Sequence, residues 1–360
     1  MMYDFLVIGG GIAGLSTAAR LAPFGKTALL EAENVLAYHT TGRSAAMFEE
    51  NYGLPSTIAL NRASATFHRE FEGGLLSERG LMLLGTSTDG PAFETDLAYM
   101  NMNEISLAEA LQFVPILSQH HVKRVGYHAA AYDIDTHRLT QGFARQVAAH
   151  SGEIITNARV TKAVYAHEKW QVQTENGHFG ARLLINAAGA WADDLATMAG
   201  VGVLGLQPFR RSMACIPAPG GHDLSGWPMM FGAGESWYAK PDAGSLLVSP
   251  ADEDPMAPFD AWPDDMVLAQ GIERYQENVT EPVTRVTSSW AGLRTFAPDR
   301  NLVIGFEPAH PGFFWVAGQG GYGIQSSPAA SLLAADVILG RQSELEPETV
   351  AALAPDRLRG

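Results

Sequence analysis

The chain has a single cysteine in 360 residues, Cys215, which excludes an internal disulfide and any cysteine-rich metal cluster. A buried small side chain is the expected role for it. Positive charge is also scarce: 24 Lys and Arg stand against 39 Asp and Glu, a formal charge of −15 at pH 7. Binding to a phosphate backbone needs dense basic clusters, so nucleic acid is not an expected partner. No apolar run reaches the ~18 residues of a spanning helix, which argues against a transmembrane segment, although a contact peripheral to the inner membrane would leave no such mark. The apolar start lacks a basic stretch, carries Asp4 and is broken by glycines, so it reads as part of the fold rather than as a signal peptide, and the cytoplasm is the expected location.

What is present is enough to build a large interior. Hydrophobic residues make up 46% and charged residues 18%, and the length points to two interleaved or sequential domains.

Residues 3–8 read as a short buried strand, and Gly9, Gly11 and Gly14 follow in the G-x-G-x-x-G spacing of "GGGIAG". Gly9 permits a tight turn, Gly11 lets backbone approach a pyrophosphate, and Gly14 lets the next helix, running to about Leu21, pack on the strand. The helix N-terminus favours phosphate charge. A second apolar strand, 27–30, ends on Glu31, whose carboxylate can accept both ribose hydroxyls of an adenosine and repels a 2′-phosphate. FAD and NAD both fit this unit; NADP fits poorly.

In "YHTTGRSAAMF", residues 38–48, Gly42 and small residues precede an expected helix. Its N-terminal amides, with Arg43 and Ser44, can hold another face of the same cofactor, and an ordinary capped helix fits equally well. Residues 154–185 alternate as strands, with "ENG" at 175–177 marking a hairpin. "LLINAAGAWADDLA", 183–196, reads as a strand entering a helix through Gly189. Residues 205–291 form a β-rich stretch that includes paired strands at 236–240 and 245–249 around "PDAG". Near the end come a strand at 313–317, the glycine turn "GQGGYG", and a helix with Pro328 early in it and Gly340 closing it. The sheet begun at residue 3 is expected to be completed there.

Taken in order, "VIGGGIAG", "YHTTGRSAA", "INAAGAWAD", "GLQPFRRS", "SWYAKPDAG", "WAGLRTFAPD" and "FFWVAGQGGYGIQ" resemble the D-amino acid oxidase superfamily of FAD amine oxidoreductases, most closely its bacterial D-arginine dehydrogenase branch. The resemblance covers nearly the whole chain. It implies an α/β fold in which a Rossmann-type FAD-binding domain (1–75, 137–204 and 292–360) is interleaved with a β-rich substrate-binding domain (76–136 and 205–291). It implies noncovalent FAD, because the covalent flavin of sarcosine oxidase relatives uses a cysteine in the C-terminal part and none follows Cys215. The implied cofactor contacts are Gly9, Gly11, Ile12, Ala13, Gly14, Glu31, Arg43, Ser44, Ala45, Val160, Ala188, Gly189, Gly318, Gly320, Gly321, Tyr322, Gly323 and Ile324.

Carried over residue by residue, Arg294 in "GLRTF" is expected to pair bidentately with a substrate carboxylate. Tyr238, Arg211, Tyr52 and Tyr322 are expected around the same pocket, with a surface charge as the competing role for Arg211 and core packing for Tyr238. The implied reaction is hydride transfer from the α-carbon of a D-amino acid to flavin N5, giving an imino acid that water converts to a 2-oxo acid and ammonia. The Gly321 carbonyl and the Gln325 side chain are the expected acceptors for the substrate amine, and no general base is assigned. The eleven histidines suggest no triad and no metal set, so His128 and His137 read as structural.

The chain departs from the branch at the pocket. Leu81 matches a carboxylate that faces a cationic side chain, Met47 stands in place of a histidine, and Glu49 in place of a small polar residue. Losing a charge-assisted contact disfavours a cationic side chain by on the order of 2 kcal/mol, so uncharged side chains are expected to gain unless Glu49 or Glu78 restores the contact. The expectation is a broad D-amino acid dehydrogenase that passes electrons to a quinone or another acceptor. The alternatives are a glycine- or sarcosine-type secondary amine oxidase producing hydrogen peroxide, and a non-catalytic dinucleotide-binding protein.

Overall fold

The N-terminal unit folds as its glycine spacing requires. In the computed structural model, which describes residues 2–359, strand Met2–Ile8 turns at Gly9 into helix Ile12–Leu21 and returns as strand Thr27–Leu30. Gly9 has φ +114°, and a Cβ there would lie 2.3 Å from the Ala187 carbonyl oxygen; a Cβ on Gly14 would lie 1.9 Å from the Gly9 oxygen. Neither approach leaves room for a side chain.

These elements belong to an eight-stranded sheet. Met2–Ile8 lies parallel between Thr27–Leu30 and Gly177–Asn186, and His310–Ala317 runs parallel to the far half of Gly177–Asn186. Glu153–Ile155 extends one edge, the hairpin of Val160–Ala166 and Lys169–Thr174 pairs with the near half of Gly177–Asn186, and Val303–Glu307 pairs with His310–Ala317. Successive side chains alternate between faces: Val7, Ile185 and Phe314 join one buried cluster, while Leu6, Leu184 and Phe313 join another. Burial on both faces is why these strands read as continuous apolar runs. The parallel strands end at Ile8, Leu30, Ile155, Asn186 and Ala317, so the five loops that follow them gather along one margin of the sheet, where open α/β sheets bind ligands.

A second, nine-stranded sheet is built around Gln207–Pro217, which pairs along most of its length with Ser288–Phe296 and at its end with Ser245–Ser249. Tyr238–Asp242, Met229–Gly232, Leu81–Gly85 and Arg124–His128 continue it. A three-stranded sheet joins Met47–Phe48, Tyr132–Ile134 and Leu76–Glu78. The strand carrying Arg294 is part of the second sheet, so the domain boundary expected at 292 cuts through it.

Three local expectations need correction. The helix expected directly after Gly42 does not form: a single 3₁₀ turn, Thr40–Arg43, leads to extended Met47–Phe48, and the next helix starts at Pro55. Ala46 between them has φ +44°, which ends helical continuation. The strand expected at 236–240 runs Tyr238–Asp242, because the 3₁₀ turn Ala233–Glu235 and Ser236 in the αR region precede it. The last long helix begins at Gly323, which puts Pro328 inside it rather than at its start. No helix among the described residues is long and apolar enough to cross a membrane.

Candidate active site

A cavity of about 440 Å³ opens along the margin where the parallel strands end. It runs from the first glycine turn past Glu31 and Val160 to Ala188, Gly189 and the second glycine turn. Its walls include Gly9, Gly11, Ile12, Ala13, Ser44, Ala45, Gly320, Gly321, Gly323 and Ile324. Gly14, Gly318 and Tyr322 stand outside them. Gly14 serves helix packing, Gly318 makes a turn at φ +64°, and the Tyr322 ring lies against Tyr52 and Phe296, with centroids 5.2 and 6.3 Å away.

The chemistry of the walls fits a dinucleotide. Glu31 Oε2 accepts the Gly10 N–H at 2.6 Å and Oε1 accepts the Glu33 N–H at 2.8 Å, which fixes the carboxylate and leaves each oxygen further capacity for a ribose hydroxyl. At the start of helix Ile12–Leu21 the Ile12 amide donates to Thr41 Oγ1 at 3.0 Å, while the Ala13 amide donates to no described residue. Thr41 lies inside the motif at 38–48, and the 3₁₀ turn Thr40–Arg43 brings it there. At the other end of the cavity, the first-turn amides of helix Gly323–Ile338 are likewise unpaired, an N-terminus suited to negative charge on a bound ring. Arg43 lines the cavity, with its guanidinium committed as a strut. Its guanidinium donates to the carbonyls of Tyr38, Ala261 and Ala291 at 3.2, 3.1 and 2.9 Å and to Asp260 Oδ1 at 2.6 Å, leaving little to offer a cofactor.

A second cavity of about 110 Å³ adjoins the first, and Ser44, Ala45, Arg211, Tyr238, Arg294 and Gly321 line both. At this junction the Arg294 guanidinium, which stays charged, makes no hydrogen bond or ion pair with any described residue, and the Tyr238 hydroxyl is also unpaired. The Gly321 carbonyl accepts no backbone hydrogen bond among the described residues, and a Cβ at Gly321 would lie 3.1 Å from Arg294 Nη1. An open cation and an open acceptor thus face one space. Arg211 is not a surface charge: it is 9% exposed, its Nε donates to the Asp252 carbonyl at 2.9 Å, and burial, reinforced by Arg294, holds it below the ordinary arginine range.

The remaining walls of the second cavity are mostly apolar, contributed by Met47, Leu81, Met100, Met229, Phe231 and Trp237, with Glu49 and Glu235 as its acids. Tyr52 donates to Glu235 Oε2 at 3.1 Å, and burial, followed by the charge of Glu235, pushes the Tyr52 phenol up. Glu235 gave no sequence signal, since it reaches the cavity only through a turn in which its φ is +50°. Glu78 lies outside both cavities. Gln325 is present with its role altered. Its Oε1 accepts the Glu49 N–H at 3.0 Å and its buried Nε2 has no partner, so the open group is a donor rather than the expected acceptor.

Residues 4–337 match the family model described as FAD dependent oxidoreductase. The bovine (Bos taurus) FAD-dependent oxidoreductase domain-containing protein 1 is 23% identical over 409 residues, spanning 93% of this chain and 81% of that protein. L-2-hydroxyglutarate dehydrogenase of Escherichia coli is 30% identical over 227 residues, 58% of this chain and 51% of that protein, so the alignment spans about half the length of that relative. The crystal structure of glycine oxidase from Geobacillus kaustophilus shares the fold, with a TM-score of 0.81 at 22% identity over 97% of this chain and 98% of that one. These relatives do not single out the D-arginine dehydrogenase branch. The dinucleotide-shaped cavity and the match over 4–337 make the chain a member of the FAD-dependent oxidoreductase family, with FAD as its cofactor.

Proposed function

We propose that this oxidoreductase acts on the carbon beside a substrate carboxylate, and that its substrates are D-amino acids, converted to 2-oxo acids and ammonia. Arg294 carries this reading: a charged guanidinium with no internal partner, placed where the cofactor cavity meets a side-chain cavity, is a receptor for a carboxylate. Bound FAD supplies the two-electron oxidant. The chain's residues position the substrate. Arg294 holds the carboxylate, the Gly321 carbonyl accepts a hydrogen bond from the amine, and the apolar wall of Met47, Leu81 and Met229 takes the side chain. The amides opening helix Gly323–Ile338 favour negative charge at that end of the cavity.

Glycine would leave the second cavity, about 110 Å³, empty, which favours a substrate with a side chain over a glycine- or sarcosine-type amine. A 2-hydroxy acid is the second reading, favoured by one observation: the unpaired Gln325 Nε2 can donate to a hydroxyl oxygen. L-2-hydroxyglutarate dehydrogenase and glycine oxidase, by their names, both act on compounds that carry a carboxylate beside a C–O or C–N bond. Steady-state dye reduction with D- and L-amino acids, glycine, sarcosine and 2-hydroxyglutarate decides among them. Neutral D-amino acids are expected to give the highest kcat/KM, and a higher value for 2-hydroxyglutarate or for any L-amino acid overturns the reading. Peroxide formation measured in the same reactions separates an oxidase from a dehydrogenase.

A further inference from the structure

In "SWYAKPDAG", Tyr238 lines both cavities, while Lys240, two residues on and on the same face of strand Tyr238–Asp242, lines neither. Lys240 is nonetheless only 5% exposed, and a lysine is buried only where it has partners. Its Nζ donates to the Ala45 carbonyl at 2.6 Å and lies 2.9 Å from Asp133 Oδ1. Asp133 is held in turn by Arg79, whose Nε and Nη2 donate to its Oδ2 at 2.9 and 2.7 Å. The ammonium is thus fixed from behind and directed at one backbone oxygen.

That oxygen belongs to the wall between the two cavities, since Ser44 and Ala45 line both. The oxygen and the N–H of one peptide unit point in opposite directions, so the Lys240 bond to the Ala45 carbonyl turns the Ala46 N–H the other way, where it donates to Ser44 Oγ at 3.1 Å. The Ser44 hydroxyl accepts there, and its own proton goes to no described residue, which leaves it a donor for a bound ring. The peptide is held under strain. Ala46 has φ +44°, unfavourable for a residue with a Cβ, and a half-turn of the Ala45–Ala46 peptide would carry that φ into the extended region. The neighbouring anchors hold other peptide units: Trp290 Nε1 donates to the Arg43 carbonyl at 3.1 Å, and the Ile134 N–H donates to the Ala46 carbonyl at 3.2 Å. Among the described residues, Lys240 and Ser44 alone hold the Ala45–Ala46 unit.

We propose that Lys240 is a positioning residue for the flavin: by clamping the strained Ala45–Ala46 peptide it aims the Ser44 hydroxyl into the junction of the two cavities, where that donor favours the electron-rich reduced ring. This role concerns bound FAD and holds whichever acid the enzyme oxidises. Lys240 acts through Ser44, so the two side chains are coupled, and a glycine at 46, which bears a positive φ without strain, makes the clamp dispensable.

The test is the flavin reduction potential, read against a reference dye during anaerobic dithionite titration of the FAD-loaded protein, in wild type, K240M, S44A, K240M/S44A and K240M/A46G. K240M and S44A are each expected to lower the reduced-to-oxidised flavin ratio at a fixed potential by about tenfold, and K240M/S44A little further than S44A alone. K240M/A46G is expected to recover most of the loss, which a direct effect of the lysine charge on the ring would not allow. An unmoved ratio in K240M, losses that multiply in K240M/S44A, or no recovery with A46G overturns the proposal. Should K240M fail to retain FAD, K240M/A46G decides: FAD retained at nearly the wild-type ratio supports the clamp, and FAD lost there as well overturns it. Dithionite supplies the electrons, so failure of D-amino acids to bleach wild type counts against the amino acid reading alone.

Discussion

Arg294 and Gly321 depend on each other through space that is already short. Replacing Arg294 by Lys keeps the charge and removes the planar two-pronged donor, and kcat/KM for amino acids is expected to fall by roughly a hundredfold, with the flavin spectrum retained. An R294K enzyme of wild-type efficiency would show that the guanidinium does not hold the carboxylate. Gly321→Val puts a branched side chain where even a Cβ stands 3.1 Å from Arg294 Nη1. It is expected to leave FAD bound while raising KM steeply, and an unchanged KM would refute the close approach of substrate to that carbonyl. Residues such as Arg294, Gly321 and Tyr238 were legible because they sit inside motifs whose order along the chain is itself informative. Glu235 was not, because it reaches the site from a 3₁₀ turn whose neighbours in sequence carry no pattern. Gln325 was legible in place but not in role, since the Glu49 amide that claims its oxygen is 276 positions away.

Helix Gly323–Ile338 carries Pro328 in its second turn, so its hydrogen-bond ladder needs outside partners. The Ile324 carbonyl, robbed of the amide that Pro328 lacks, accepts from Ser327 Oγ at 2.9 Å. Helix Pro55–Glu70 attends to the next positions: His68 Nε2 donates to the Gln325 carbonyl at 2.8 Å, and Ser64 Oγ accepts the Ala329 N–H at 3.1 Å. His68 is fully buried, and burial, opposed by its bond to Gln325, lowers its pKa from 6.5 to about 4. The unfolded chain therefore takes up a proton near pH 6.5 that the native protein refuses until about pH 4, and stability falls as pH drops through that window. The full difference corresponds to about 3 kcal/mol. The stability of wild type relative to H68Q is expected to decline between pH 6.5 and 4 in denaturation measurements, and a flat difference would show that the imidazole is not held neutral. Most elements were legible from apolar runs and glycine punctuation. The helix expected after residue 43 that does not form and the misplaced start at Pro328 share a cause: contacts from distant segments, the Arg43 strut and the Ser64–His68 pair, override what local composition favours.

On the scale of the whole molecule, the two glycine turns more than three hundred residues apart serve one cavity because the strands before them run parallel in one sheet and end on the same margin. The second sheet supplies Arg211 and Arg294 from paired strands and Tyr238 from a strand separated from them by Ser245–Ser249, and closes the cavity at its reacting end. That division of labour was legible in outline, since the first sheet announces itself by motif and the second by its alternating strands. Which strand of the second sheet would flank which was not, because register is decided by pairing between segments far apart in sequence. The account as a whole requires that an amino acid carboxylate be held against the flavin by Arg294. Anaerobic mixing of the flavin-loaded protein with D-Met, followed at the flavin band, tests this most directly. Rapid bleaching is expected in wild type, and bleaching roughly a hundredfold slower in R294K at the same subsaturating D-Met concentration. A flavin band that stays unchanged in wild type, or bleaches at the same rate in both proteins, would contradict it.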